Sequence, residues 1–125
     1  MSRSTEEELI HTYFEAFNRH DIEGVMACFH DEPHLVGMEG VHTEGRAAVR
    51  RFYEQEFATF PDGRCELQTA IRHADRGMAE SCFVGTHAQS GESVKAVGAD
   101  VIEFDGGKIK TIRNYHRLAT SHDEP

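Results

Sequence analysis

The sequence predicts an α+β domain in which three N-terminal helices cover one face of a curved antiparallel sheet. Three observations carry that prediction. Apolar residues recur at helical spacing as far as Phe60. From Arg64 onward the apolar period changes to two. Short turn signals rich in Gly, Asp and Ser then divide the alternating stretch into strands. The 125 residues make a single domain, with its core over about 6–117 and a flexible tail over 119–125.

Helix one starts at Ser4 or Thr5, each followed three residues on by a glutamate, Glu7 or Glu8, in a capping-box pattern. Leu9, Ile10, Tyr13, Phe14 and Phe17 form its apolar stripe. Asn18 to Asp21 breaks it, and Asp21 caps a short second helix carrying Ile22, Val25, Met26 and Phe29. A short strand is expected over 33–38. Thr43-Glu44-Gly45 leads into helix three, whose inner side carries Val49, Phe52, Tyr53, Phe57 and Phe60, and Pro61-Asp62-Gly63 ends it. Four strands follow at about 64–73, 78–89, 94–104 and 109–118, joined by turns at 75–77, 90–91 and 105–107.

Composition narrows the function. A formal net charge of −9, with no lysine or arginine stripe, excludes nucleic acid and anionic membrane as expected partners. No apolar run approaches the roughly 18 residues of a membrane span. The first residues lack the apolar segment of a secretion signal. Cys28, Cys65 and Cys82 are odd in number and lack metal or redox spacing, which predicts buried free thiols in a reducing cytoplasm. His30, His34, Glu39 and His42 match no zinc spacing, so no metal is expected. There is no phosphate loop, dinucleotide fingerprint or nucleophile elbow, and no cofactor is expected.

The strand over 94–104 holds the most informative residue. Counting by twos puts Val94, Ala96, Gly98, Asp100, Ile102 and Phe104 on one face, and Lys95, Val97, Ala99, Val101 and Glu103 on the other. Asp100 thus sits among apolar and very small neighbours, where desolvation disfavours its charged form. A two-residue turn at Ser90-Gly91 would set His87, Gly85, Phe83 and Ser81 opposite Val94, Ala96, Gly98 and Asp100. The small residues on that face imply a bulge, a close backbone approach or a pocket. A three-residue turn at 105–107 would turn Ile112, Asn114 and His116 inward and leave Arg113, Tyr115 and Arg117 outside, the preferred reading because it leaves two arginines in solvent, whereas a two-residue turn would reverse these faces. Asp100 then reads either as a structural carboxylate paired with an inner histidine or Tyr13, or as a proton-transfer group.

Four segments together resemble a known family. They are Tyr13-Phe-Glu-Ala-Phe-Asn18, Asp21-Ile-Glu-Gly-Val-Met-Ala-Cys-Phe29, Gly45-Arg-Ala-Ala-Val-Arg-Arg-Phe-Tyr53 and Asp100-Val-Ile-Glu-Phe-Asp-Gly-Gly-Lys-Ile109. The chain is similar over 6–117 to the SnoaL-like and ketosteroid isomerase-like branch of the nuclear transport factor two-like superfamily. The resemblance implies a cone-shaped sheet wrapped by three helices around a pocket. It also implies a homodimer through the outer sheet face, here Val97, Ala99 and Val101. Tyr13 falls at the isomerase tyrosine that donates to the substrate oxyanion, and Asp100 at its partner acid. The position of the isomerase base is Gly37 here, with Glu39 nearby on the other alternation. In SnoaL-like polyketide cyclases an aspartate on this sheet is the base, a role open to Asp100.

Two functions are compatible with these residues. The first is a cofactor-independent acid–base enzyme, an isomerase, cyclase or dehydratase, acting on a small apolar carbonyl compound. Asp100, His87, His116 and Tyr13 would carry the chemistry, and Asn114, Phe83, Gly85, Gly98, Ile112, Phe17 and Phe57 would contact the substrate. The second is a non-catalytic ligand-binding or dimerisation module of the same fold.

Overall fold

In the computed structural model, residues 5–123 are described; Ser4, one of the two expected helix caps, lies outside them. Helix α1 (Thr5–Asn18) places Glu6, Glu7 and Glu8 in its first turn, where the helix dipole favours negative charge. Helix α2 (Ile22–Ala27) is capped by Asp21, whose side chain accepts from the Gly24 N–H at 3.0 Å. Strands β1 (Phe29–Val36) and β2 (His42–Glu44) precede helix α3 (Arg46–Thr59), and β3 (Arg64–His73), β4 (Arg76–Thr86), β5 (Ser93–Asp105) and β6 (Lys108–Leu118) follow it.

The six strands form one open sheet in the order β2-β1-β6-β5-β4-β3. Strands β3 to β6 are an antiparallel meander, β2 pairs antiparallel with β1, and β1 lies parallel to β6. Helix α1 packs on β3 and β4, whereas α3 packs on β1 and β2. Between them Ile10, Val25, Val49, Ile102 and Ile109 are fully buried. Each such side chain contributes about 1.5–3 kcal/mol by leaving water.

Several local expectations change. Strand β1 starts at Phe29, before the expected Pro33, and strand β2 is new. Three residues are too few to show a period. The β4–β5 connection spans 87–92, closed by His87 N–H to the Glu92 carbonyl at 2.9 Å, and is not a two-residue turn. The pairing therefore slips by two, with Ser81 opposite Gly98 and Ala79 opposite Asp100. An even slip preserves which face each side chain takes. A 3-10 turn (Ser121–Asp123) follows β6, with Arg117 bound to Asp123 at 2.7 Å.

The last hairpin reaches its expected facing by another route. Its turn has two residues, Gly106 and Gly107, with φ of 60° and 77°, as a two-residue hairpin with both central φ positive requires. A bulge follows between the Glu103 and Phe104 pairings. The extra residue returns Ile112, Asn114 and His116 to the inner face.

Gly98 is required by close approach. At φ 153°, a Cβ there would lie 2.3 Å from the Tyr115 carbonyl oxygen and 2.6 Å from the His116 Cα. Backbone cannot yield as a flexible side chain would. Gly98→Ala is therefore expected to cost about 2 kcal/mol or more. At Gly37 a Cβ would meet nothing nearer than 3.8 Å, so Gly37→Ala should change stability by less than about 0.5 kcal/mol. Urea-unfolding midpoints of the two variants test the contrast, and equal midpoints would refute it.

Candidate functional site

A cavity of about 320 Å³ opens between the inner sheet face and helices α1 and α3. Its rings come from Tyr13, Phe14 and Phe17 of α1, Phe52 and Tyr53 of α3, and Phe60 and Phe83. The polar groups are Asp100, Asn114 and His116 from β5 and β6, Thr43 from β2 and Glu56 from α3. Met38, Val41, Phe52 and Leu118 line it and are exposed, so they mark its mouth.

Asp100 is 8% exposed, and its Oδ1 has no hydrogen-bond partner among the described residues. Burial raises its pKa from the ordinary carboxylate range to about 7. The nearest ring nitrogen, His116 Nδ1, is 3.9 Å from Oδ1, too far for a hydrogen bond. It is also occupied, because it lies 2.9 Å from Asn114 Oδ1. The backbone N–H of His116 donates to the same Oδ1 at 2.9 Å, which makes that atom an acceptor. His116 Nδ1 must therefore carry its proton, and Nε2 accepts from the Ser81 hydroxyl at 2.9 Å. With its side chain only 4% exposed, burial also lowers the imidazole pKa. His116 is thus neutral and satisfied, and gives Asp100 no cation.

The Tyr13 and Tyr53 hydroxyls are 2.6 Å apart. Burial, each other's hydroxyl and the Asp100 charge bear on both, and both phenol pKa values lie above their ordinary value. The pair keeps its protons near neutrality and can donate. Cys65 also lines the cavity, with burial pushing its thiol up to about 11. It stays protonated and is no nucleophile.

Of the residues named from sequence, Asp100, Tyr13, His116, Asn114, Phe83, Ile112 and Phe17 meet at the cavity. Four others are placed elsewhere. His87 sits in the β4–β5 connection, where Nδ1 accepts from the Gln89 and Ser90 N–H groups at 3.3 Å. The longer loop removed it from the strand. Phe57 stacks on His20, with ring centroids 4.4 Å apart, and packs against the core. Gly85 makes room for the Phe60 and Phe83 rings, and Gly98 for the β6 backbone. Of the three small residues expected to open the pocket, only Ala96 lines it.

Sequence reasoning missed Tyr53 and Glu56 as site residues. Phe52 and Glu56 are spaced by four on α3, and that spacing places both on one helix face. Gly37 lines the cavity and Glu39 does not, being exposed in the following turn. His34 and His42 bond one another at 2.7 Å outside the cavity, and among the described residues no three metal-ligating side chains cluster.

Three helices on a curved, unclosed six-stranded sheet, with a cavity between them, make the nuclear transport factor two-like α+β cone. Within that class, the SnoaL-like domain description matches residues 10–112, and the chain belongs to this family. A putative SnoaL-like polyketide cyclase from Jannaschia sp. CCS1 superposes with a TM-score of 0.80 at 14% identity, covering 94% of this chain and 90% of that one. A Mycobacterium tuberculosis protein in complex with estradiol-17beta-hemisuccinate gives 0.80 at 17% identity, covering 90% and 94%. A ketosteroid isomerase-like protein from Catenulispora acidiphila in complex with trimethylamine gives 0.76 at 16% identity, covering 86% and 84%. At these identities the likeness is one of fold. No curated protein matches the chain significantly.

The raised pKa of Asp100 ties stability to pH. The native state holds the Asp100 proton up to about pH 7, whereas the unfolded chain loses it near about pH 4. Between those values the native state binds more protons, so its stability falls as pH rises, by up to about 1.4 kcal/mol per pH unit from this group. Asp100→Asn should abolish that component and be more stable than the native chain above pH 7. Thermal unfolding across this range checks it; an unchanged slope, or a variant that fails to fold, would contradict an uncompensated buried acid.

Proposed function

We propose that the cavity carries cofactor-independent acid–base chemistry on a small, largely apolar carbonyl compound, as an isomerase, cyclase or dehydratase. The observation that carries this reading is Asp100, a buried carboxyl with an unpartnered oxygen at an aromatic-lined cavity. Its pKa of about 7 lets it accept and return a proton near neutrality. As the carboxylate, it takes a proton from the carbon beside the carbonyl, and the electron pair moves onto the carbonyl oxygen. Tyr13, held by Tyr53, donates to that developing oxyanion. Asp100 then returns the proton to carbon or to a leaving oxygen.

His116 and Asn114 act as positioning residues. Their mutual bond and the bond to Ser81 fix the polar wall, while Phe17, Phe83 and Ile112 contact the apolar body of the substrate. The small molecules held by two of the fold neighbours support a small-molecule cavity.

Exchange of a cyclic ketone's α-protons in deuterated water, followed by NMR, tests the chemistry. The native chain is expected to catalyse exchange with a rate rising through about pH 7. Asp100→Asn should lose about 10²-fold or more, and Tyr13→Phe should lose about 10²-fold while remaining folded. Gly37, which leaves the isomerase base position empty, favours a second reading in which the cavity binds without catalysis. Ligand-dependent shifts without exchange for any carbonyl compound would establish that reading and refute the first.

We also infer a homodimer through the outer sheet face. Val97, Ala99 and Val101 are half-exposed there, beside exposed Val84 and Tyr115. The three free thiols support a reducing cytoplasm as the setting. Light scattering is expected to give twice the chain mass, and Val97→Glu to give a monomer. A native chain that is monomeric at micromolar concentration would exclude the dimer.

A further inference from the structure

The cavity holds a second carboxyl that the proton transfer above does not use. Glu56 lines it from α3, one turn beyond Tyr53. It is half-buried, and burial raises its pKa. Its carboxylate has no hydrogen bond or ion pair among the described residues, unlike Glu54 and Glu23, which pair with Arg50. Glu56 and Asp100 line the same cavity as Tyr53, and the charges of both bear on its hydroxyl.

The rest of the lining is one-sided in charge. Among the described residues no lysine or arginine lines the cavity, and the one histidine, His116, is neutral with both nitrogens engaged. Tyr13, Phe17, Phe52, Tyr53 and Phe60 supply rings to the lining, and a ring face met by a guest carries negative quadrupole. An anionic group entering here would meet two carboxyls and no counter-charge. An organic cation would meet an unpaired carboxylate and aromatic faces, and would relieve the cost of burying the acid.

We propose that the ligand of this cavity carries a protonated amine, and that Glu56 is the residue that recognises it. Resting on the reading of the cavity as a small-molecule site, this assigns the substrate class and separates the two acids by role. Asp100 moves the proton, and Glu56 holds the ammonium group at the wall while the apolar body fills the ring-lined space. Selection against carboxylates and phosphates follows from the same charges.

Three ligands of one shape test this: benzylamine, benzyl alcohol and benzoate, titrated into the full chain at about pH 8 and followed by NMR shifts and calorimetry. Benzylamine is expected to bind about tenfold or more tighter than benzyl alcohol, as a charge-assisted hydrogen bond implies, and benzoate most weakly. Glu56→Gln should remove most of the amine preference yet leave benzyl alcohol affinity within about twofold. Glu56→Lys should reverse the order in favour of benzoate. Equal binding of amine and alcohol would overturn the inference and leave the small-molecule site standing. Binding by none of the three would overturn both. Amine preference that survives Glu56→Gln but disappears in Asp100→Asn would transfer the recognition to Asp100 and overturn the assignment of Glu56.

Discussion

The pairing of β5 with β6 is the constraint on which the site depends. Gly98 lets the Tyr115 carbonyl approach to a distance that no side chain would permit. That approach sets Gly98 opposite His116 and Asp100 opposite Asn114. The bulge nearer the turn decides that these side chains look inward. Without the bulge, Arg113, Tyr115 and Arg117 would take the inner face of β6, and two cationic side chains would stand beside Asp100 in place of Asn114 and His116. The outward-facing partners confirm the register: Arg113 bonds Glu103 at 2.7 Å on the solvent side.

Once turned inward, Asp100 is defined by what surrounds it. Asn114 accepts from both the ring and the backbone of His116, so the imidazole spends its one acidic proton away from the carboxyl. The two tyrosines bond each other. Burial then dominates, and the carboxyl titrates near neutrality. A charged histidine or a nearby lysine would have produced a stable ion pair and an acid of ordinary strength. The raised pKa of Asp100 therefore rests on polar groups that satisfy one another and leave one acid out.

Much of this was legible in the sequence because burial imposes a period. The stripe from Leu9 to Phe17 and the alternation from Arg64 onward place three helices and four strands. Asp100 stood out by its face alone. What was lost depends on loop length, which periodicity does not encode. The 87–92 connection carried His87 out of the sheet, although the even slip left Ser81 and Phe83 on the correct face. Gly98 and Gly85 looked like absent side chains making room, yet each is filled by a neighbour. Tyr53 and Glu56 were hidden because a cavity at the end of a helix stripe uses the same positions as a core.

The parallel pairing of β1 with β6 has a consequence for how the domain assembles. Leu35 lies beside Ile112, so the strand that anchors β2 and α3 joins the sheet next to β6, which lies about 70 residues further along the described chain. A chain emerging from the ribosome has both halves of the cavity wall, but no seam between them, until β6 is synthesised. Folding must await that long-range closure, which makes it slow relative to the helices it unites. The cavity therefore closes only when its two separately made walls meet at this seam.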